Sequence, residues 1–259
     1  MSLKVKDLRI GLGTSKMVAQ DVSFNLSKGQ MHTIVGSSGA GKSTICKAIM
    51  GILGEEYGVE GSIKYQGIEL LKASHAQKQH IFGKEICFIM QNPMTAFNPS
   101  LLIGKQMEKT YLKHHSKTSK AEVREKCEAV LEKLALPDIS RILKSYPFML
   151  SGGMLQRIMI ATALINEPKV LIADEATTAI DACNRVELMR LLKSLCEEGM
   201  SILFVTHDLR SAIYSDTMMI MHQGQIIETG KTTQLFARPK EAYTKTLLSA
   251  CNLERRESG

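Results

Sequence analysis

Residues 36–44 read Gly36-Ser37-Ser38-Gly39-Ala40-Gly41-Lys42-Ser43-Thr44, which is a complete phosphate-binding loop of the form G-x-x-x-x-G-K-[ST]. Residues 31–35 lead into it as a buried strand does, and residues 44–53 leave it with the pattern of a helix. The glycines let successive N–H groups face phosphate oxygens, and the helix N-terminus adds partial positive charge. Lys42 is expected to reach the β- and γ-phosphates, and Ser43 to hold Mg²⁺. The stretch therefore predicts a nucleoside triphosphate site.

The composition of the 259 residues is that of a globular protein, with 44% hydrophobic and 23% charged residues. No stretch reaches the roughly 18 consecutive apolar residues of a membrane span, and the first residues lack the apolar segment of a signal peptide. A membrane role is therefore expected to be peripheral, through a partner. The net charge is +7, but basic and aromatic residues are not interleaved, so no nucleic-acid partner is expected.

Cysteine and histidine spacing argues against a structural metal site. Six cysteines are scattered along the chain without a C-x-x-C pair, so neither a zinc ribbon nor a redox motif is indicated, and reduced thiols are expected. His114 and His115 lie beside lysines, which is typical of a solvated segment rather than of a metal ligand set.

The order of predicted elements favours an α/β fold with a mostly parallel sheet. A helical stretch interrupts the strands from about residue 92 to 166. It contains a capping box, Ser119 to Glu122, that opens a helix which Pro137 is expected to end. A later helix over 186–198 is expected to stop at Gly199. The predicted strands cover residues 3–10, 20–26, 62–65, 86–90, 170–173 and 201–205, with a hairpin at 218–227.

Four polar residues follow buried strands, where open α/β sheets bind ligands. Asp174 ends the strand 170–173 and is a candidate Mg²⁺ ligand opposite Ser43. Glu175 follows it and is a candidate base for an attacking water. His207 follows the strand 201–205 and is a candidate donor to a γ-phosphate. Gln91 ends the strand 86–90, where it is a candidate contact to Mg²⁺ or the water and a hinge to the helical stretch.

A second helix start of a phosphate-binding type lies at residues 150–157, which read Leu-Ser-Gly-Gly-Met-Leu-Gln-Arg. Ser151 is a good N-cap, and Gly152 and Gly153 leave backbone N–H groups accessible. The chain thus carries two helix N-termini suited to phosphate, of which only the first has a lysine.

Taken in order, the phosphate loop, Gln91, the segment 150–157, Asp174-Glu175 and His207 resemble the ATP-binding-cassette ATPases over nearly the whole chain. The resemblance implies a phosphate-loop fold with an antiparallel β subdomain and an inserted helical subdomain. One domain would then cover 1–259, with a nucleotide-binding core at 1–91 and 158–259 and the helical signature subdomain at 92–157.

The same resemblance implies ATP and Mg²⁺ as cofactors and a head-to-tail dimer that sandwiches two ATP molecules. Ser151, Gly152, Gly153 and Gln156 of one subunit would complete the pocket formed by residues 36–44 of the other, and Asp181 matches the aspartate that crosses the dimer interface. Residues 90–99, 146–157 and 238–248 are similar to peptide and nickel importer ATPases. A closely related second ATPase, permease subunits and a solute-binding protein would be the partners, at the cytoplasmic face of the membrane.

Two departures from the family pattern bear on the site. The family places an aromatic residue against the adenine upstream of the loop, whereas this region offers Leu12, Gly13 and Met17. Ala176 stands where the family usually has proline after the glutamate. The resulting hypothesis is an ATPase subunit of an importer for nickel, metal chelates or peptides. The alternatives are an ATPase of the same cassette type that acts on nucleic acid or the ribosome, a regulatory subunit, and an exporter.

Overall fold

The computed structural model describes residues 3–13, 16–177 and 181–257, and it gives side-chain environments up to residue 250, except at 182 and 183. The chain divides into two compact units. Unit 1 consists of residues 1–73 and 192–259, and unit 2 consists of residues 74–191. The predicted bounds of the helical subdomain, 92 and 157, do not coincide with the bounds of unit 2. Unit 2 also contains two strands that the sequence analysis assigned to the nucleotide-binding core, so the predicted subdomain bounds stay a prediction.

Unit 1 contains an antiparallel sheet in the order β2-β1-β4-β5. Strand β1 buries Leu3, Val5, Leu8 and Ile10, and the alternation shifts by one residue because Asp7 adopts a positive φ of 48° and forms a bulge. Strands β1, β2 and β4 are longer than the sequence predicted, and β5 was not predicted. They run as β1 Leu3–Leu12, β2 Lys16–Leu26, β4 Tyr57–Tyr65 and β5 Ile68–Glu69.

Four further strands of unit 1 lie side by side in the order β10-β9-β3-β8. Strands β3 (Met31–Val35) and β8 (Ser201–Thr206) are parallel and buried along their whole length, as expected for strands covered on both faces. Strand β9 (Thr217–His222) is parallel to β3 and antiparallel to β10 (Gln225–Lys231), which confirms the predicted hairpin. The helices are α1 Lys42–Met50, α9 Leu209–Ala212, α10 Thr232–Ala237 and α11 Ala242–Glu257.

The strands of unit 1 are tied together by Asp216, which directly precedes β9. Its carboxylate accepts the N–H of Met31 at 2.9 Å and a hydrogen bond from the ammonium of Lys193. The carbonyl of Met31 in turn accepts the N–H of Asp216 at 2.9 Å. This double connection fixes the starting points of β3 and β9 against each other.

Unit 2 combines two parallel strands with most of the helices. Strands β6 (Ile86–Ile89) and β7 (Val170–Asp174) pair in register, with Ile89 opposite Ala173. Helix α8 (Ala182–Glu197) begins in unit 2 and continues into unit 1, and Gly199 follows it with a φ of 101° as predicted. The other helices of unit 2 are α2 His75–Ile81, α3 Pro93–Ala96, α4 Ile103–Leu112, α5 Lys120–Lys133, α6 Ile139–Leu143 and α7 Gly152–Leu164.

Helix α5 begins with the predicted capping box, since Ser119 and Glu122 each accept the other's backbone N–H. Its end differs from the prediction. The helix stops at Lys133, and Ala135 already has a φ of 51°, so the chain leaves the helix before Pro137. Within the described part of the chain, no helix combines the length and apolar character needed to cross a membrane.

Candidate functional site

The phosphate loop joins β3 to α1 in unit 1. Gly41 is the N-cap of α1 with a φ of 102°, a conformation that glycine adopts without strain. A Cβ at Gly41 would also lie 2.5 Å from the carbonyl oxygen of Val18. Because the N-cap is a glycine, no N-cap side chain binds the first N–H groups of α1, and a helix start of this kind is suited to an anion.

The Lys42 side chain is folded into the hollow of the loop. It is 4% exposed, and its Nζ donates to the carbonyl oxygens of Gly36 at 2.8 Å and Ser37 at 2.9 Å. Ser37, Ser38 and Gly39 are exposed around it, whereas Ala40 and Gly41 are buried. A buried ammonium beneath an exposed loop and beside a helix N-terminus forms a positive centre for phosphate.

His207 leaves the sheet at the same edge as the loop. Val35 pairs with Thr206 in the parallel register of β3 and β8, so Gly36 and His207 directly follow paired residues. The His207 side chain is exposed. Unit 1 therefore brings together two of the predicted groups, the phosphate loop and the strand-end histidine, as the rule for the carboxyl ends of parallel strands predicts.

Unit 2 brings together Gln91, Asp174 and Glu175. Asp174 ends β7 and is 5% exposed, and Glu175 is 8% exposed. The Gln91 amide nitrogen donates to Glu175 Oε2 at 2.6 Å. Sequence reasoning placed Gln91 near the metal or the water but missed this bond, because nothing in the local pattern links residues that are 84 positions apart.

The Glu175 backbone has a φ of 49°, which non-glycine residues adopt rarely and at a cost of roughly 1 kcal/mol or more. The next residue, Ala176, is buried. This backbone conformation and the Gln91 hydrogen bond together define the direction of the carboxylate. Such orientation is what a general base requires.

The second predicted helix start is accessible in this chain. Ser151 is the N-cap of α7, and its hydroxyl accepts the N–H of Met154 at 3.3 Å. Ser151 and Gly152 are exposed, and a Cβ at Gly152 would have no heavy atom within 4 Å. In contrast, Gln156 is 1% exposed, and neither of its amide atoms has a hydrogen-bond partner among the described residues.

Asp181 caps helix α8. Its carboxylate accepts the N–H of Asn184 at 3.0 Å and the Asn184 amide nitrogen at 2.6 Å. The Asn184 amide oxygen accepts a hydrogen bond from Arg157 at 2.9 Å, and Arg157 also contacts Glu187. This network links α7 to the start of α8. The sequence carries no signal for it, because Arg157 and Asn184 are 27 positions apart.

Upstream of the loop, the residues that stand in place of an aromatic group lie at the end of the β1–β2 hairpin. Leu12 is half-buried and Gly13 is exposed. Met17 is 54% exposed and pairs with Gly11 across the hairpin. Among the described residues, no group of three or more histidine, cysteine or acidic side chains is arranged to hold a metal ion.

The donor atoms of the predicted magnesium set fit Mg²⁺. A serine hydroxyl, a carboxylate and an amide oxygen are hard oxygen ligands of the kind this ion prefers. Because the Gln91 amide nitrogen is held by Glu175, its oxygen is the atom that remains for a metal or a water. The residues of the predicted magnesium set are Ser43, Gln91 and Asp174.

Comparison with known proteins gives a consistent picture. The ABC transporter family matches residues 19–178. The chain is 40% identical over 250 residues to the metal-staphylopine import system ATP-binding protein CntD of Staphylococcus aureus, covering 95% of this chain and 92% of the relative. It is 39% identical to the oligopeptide transport ATP-binding protein OppD of Bacillus subtilis, covering 96% of this chain and 71% of that protein.

Solved structures agree with the sequence comparison. The dimeric structure of a post-hydrolysis state of an ATP-binding cassette, bound to ADP and Pi, is similar with a TM-score of 0.80 and 27% identity. The match covers 89% of this chain and 98% of that one.

Proposed function

This chain belongs to the ABC transporter family and is an ATPase of that family, and on this basis we propose that it powers the import of metal chelates or small peptides. The observation that carries the proposal is the similarity to an importer ATPase for metal-staphylopine over almost the full length of both proteins. Peptide importer ATPases of similar identity support the wider substrate class. The proposed location is the cytoplasmic face of the membrane, through permease subunits.

The proposed working unit is a head-to-tail dimer with a related but distinct ATPase. The exposed start of α7 supports it, because Ser151 and Gly152 are exposed there and a Cβ at Gly152 would have no heavy atom within 4 Å. A ligand phosphate held by residues 36–44 of the other subunit would fill this space. A dimeric cassette bound to ADP and Pi among the structural neighbours supports the same assembly.

The proposed chemistry assigns one role to each polar group. Ser43, Asp174 and the Gln91 oxygen would hold Mg²⁺, which when bound neutralises phosphate charge. Lys42 would pass from the carbonyl oxygens of Gly36 and Ser37 to the phosphates. Glu175 would accept the proton of the attacking water, and His207 would donate to the γ-phosphate.

An exposed apolar surface in unit 2 supports contact with a permease. It consists of Tyr146, Phe148 and Met149, which are 38%, 65% and 56% exposed just before α7. The rings of Tyr146 and Phe148 are stacked with centroids 5.6 Å apart. Large exposed aromatic residues mark protein interaction sites. A permease seated here would lie next to the helix start at Ser151.

The test is reconstitution of the chain with its permease subunits and a second ATPase in liposomes. We expect ATP hydrolysis to rise when a solute-binding protein loaded with a metal chelate or a peptide is added, and the loaded compound to accumulate inside. A rate of ATP hydrolysis that is unchanged by both the permease and the binding protein would refute the import proposal. A Phe148→Ala variant should lose stimulation but keep basal hydrolysis.

A further inference from the structure

The back of the phosphate loop rests on the hairpin formed by β9 and β10. A Cβ at Gly36 would lie 2.2 Å from the carbonyl oxygen of Met221, so the two backbones touch without room for a side chain. Further along, the N–H of Gly224 donates to the carbonyl oxygen of Ala40 at 3.1 Å. The hairpin therefore supports the loop at its first residue and again at its fifth.

Tyr243 adds a contact from the C-terminal helix. The N–H of Ser37, the second residue of the loop, donates to the Tyr243 hydroxyl at 3.3 Å. The Tyr243 ring stacks on His222 with centroids 3.9 Å apart and planes 28° apart. His222 is the last residue of β9 and follows Met221 directly, so the tyrosine ring lies against the same hairpin that supports the loop.

The position of Tyr243 is determined by the folded unit rather than by a flexible tail. Tyr243 is the second residue of α11, and the carboxylate of Glu228 on β10 accepts the N–H groups of Lys240 at 2.9 Å and Glu241 at 3.2 Å. The ring also packs against the core cluster that contains Val35 and Ile220. The hydroxyl is thereby presented to the loop at a defined place.

Ser37 is consequently held on both sides of its backbone. Its N–H is bound by Tyr243, and its carbonyl oxygen accepts from Lys42 at 2.9 Å. We propose that Tyr243 is a positioning residue for the phosphate loop, with His222 supporting its ring, and that it favours triphosphate binding without touching the nucleotide. If the loop adopts its binding conformation for only a fraction of the time, its apparent affinity for ATP is reduced by that fraction.

This inference rests on ATP binding and not on the import proposal. In the full chain, Tyr243→Phe removes the hydroxyl and keeps the ring. We expect the Kd for ATP, measured by calorimetry, to rise about three- to tenfold, which is the size of effect that one hydrogen bond gives. The kcat at saturating ATP should stay at its wild-type value, and the Tm of the nucleotide-free protein should fall by no more than about 1–5 °C, because the same hydrogen bond is present without nucleotide.

Two further variants make the test specific. Tyr214→Phe removes a hydroxyl elsewhere in unit 1 and should leave the Kd unchanged. Ser37→Pro removes the donor N–H, because proline has none, so adding Tyr243→Phe to it should weaken ATP binding no further. This double-mutant comparison separates the Ser37 hydrogen bond from any other effect of the tyrosine.

Three results would overturn the inference: an unchanged or tighter Kd in Tyr243→Phe, a fall in kcat with an unchanged Kd, or the same loss with and without the Ser37 N–H. Should Ser37→Pro fail to fold, Tyr243→Phe and Tyr214→Phe alone decide the matter. Normal ATP binding with no response to a permease would refute import and leave this inference standing.

Discussion

Replacing Gly152 by alanine separates the stability of the chain from its proposed role in a partner's nucleotide site. Gly152 is the first residue of α7, it is exposed, and a Cβ there would have no heavy atom within 4 Å. Its φ lies outside the left-handed region. The added methyl group therefore enters open space in the free chain.

The expected change in stability is small and favourable. Alanine is preferred over glycine by about 1 kcal/mol inside a helix, and we expect roughly 0.3–1 kcal/mol at a first turn. For a chain of this size, that raises the Tm by about 1–3 °C. In the ATP-bound dimer the methyl group would lie between the helix start and a phosphate that N–H groups approach to about 3 Å. Hydrolysis should therefore fall about 10- to 100-fold.

The assay combines thermal unfolding of the nucleotide-free chain with steady-state hydrolysis by the assembled dimer. Gly36→Ala is the matched control, because its Cβ would lie 2.2 Å from the Met221 carbonyl oxygen, and it should lower both the Tm and ATP affinity. Wild-type hydrolysis by Gly152→Ala would refute the contact with a partner's nucleotide. A fall in its Tm would refute the open environment assigned to the residue.

Three other variants or conditions test separate parts of the structure. Glu175→Gln should keep ATP binding but reduce single-turnover hydrolysis by about 10²- to 10⁴-fold, and wild-type turnover would exclude Glu175 as the base. Burial raises the pKa of Cys87, Cys127 and Cys196 to about 12, so peptide mapping after alkylation at pH 8 should find these thiols unmodified in the folded chain and modified in denaturant. Rapid labelling of the folded protein would contradict their burial. Burial opposes ionisation of Asp216, but the hydrogen bonds from Lys193 and Met31 outweigh it and lower its pKa. The ionised Asp216 carboxylate therefore stabilises the folded chain at neutral pH, and this stabilisation is lost as the pH falls below about 3.8. Asp216→Asn should lower the free energy of unfolding, measured by urea titration, by about 0.5–1 kcal/mol at pH 7, since the pair is partly exposed. The loss should become progressively smaller near pH 3. An equal loss at both pH values would argue against the ion pair.

Local signals in the sequence predicted much of the fold. The phosphate loop, the buried strands β3, β7 and β8, and the capping box at Ser119 each depend on neighbouring residues, and the structure confirms them. One error occurs where the backbone leaves the regular pattern. Helix α5 ends at Lys133 and not at Pro137, because Ala135 has a positive φ that no apolar periodicity reveals.

In the candidate site, the local sequence predicts the positions of the polar residues but not the contacts between them. Asp174 and Glu175 in unit 2 and His207 in unit 1 each lie where a strand of their own unit ends, as the sequence pattern predicts, and their roles stay a prediction. The hydrogen bonds that hold Glu175 and the phosphate loop join residues far apart in sequence. The hydrogen bonds Gln91–Glu175 and Ser37–Tyr243 span 84 and 206 positions, and only the folded chain brings these partners together.

The exposed helix start at Ser151 has a consequence for genetics. A pocket built from the phosphate loop of one molecule and the α7 start of another can be repaired by pairing two different defective chains. A chain altered at Lys42 still offers an intact Ser151, and a chain altered at Ser151 still offers an intact Lys42. In a cell that expresses both alleles, a dimer that contains one chain of each allele regains one complete pocket, whereas an obligate pairing with a different ATPase gives no such complementation. The allele test therefore distinguishes self-association from a mixed pair in the living organism.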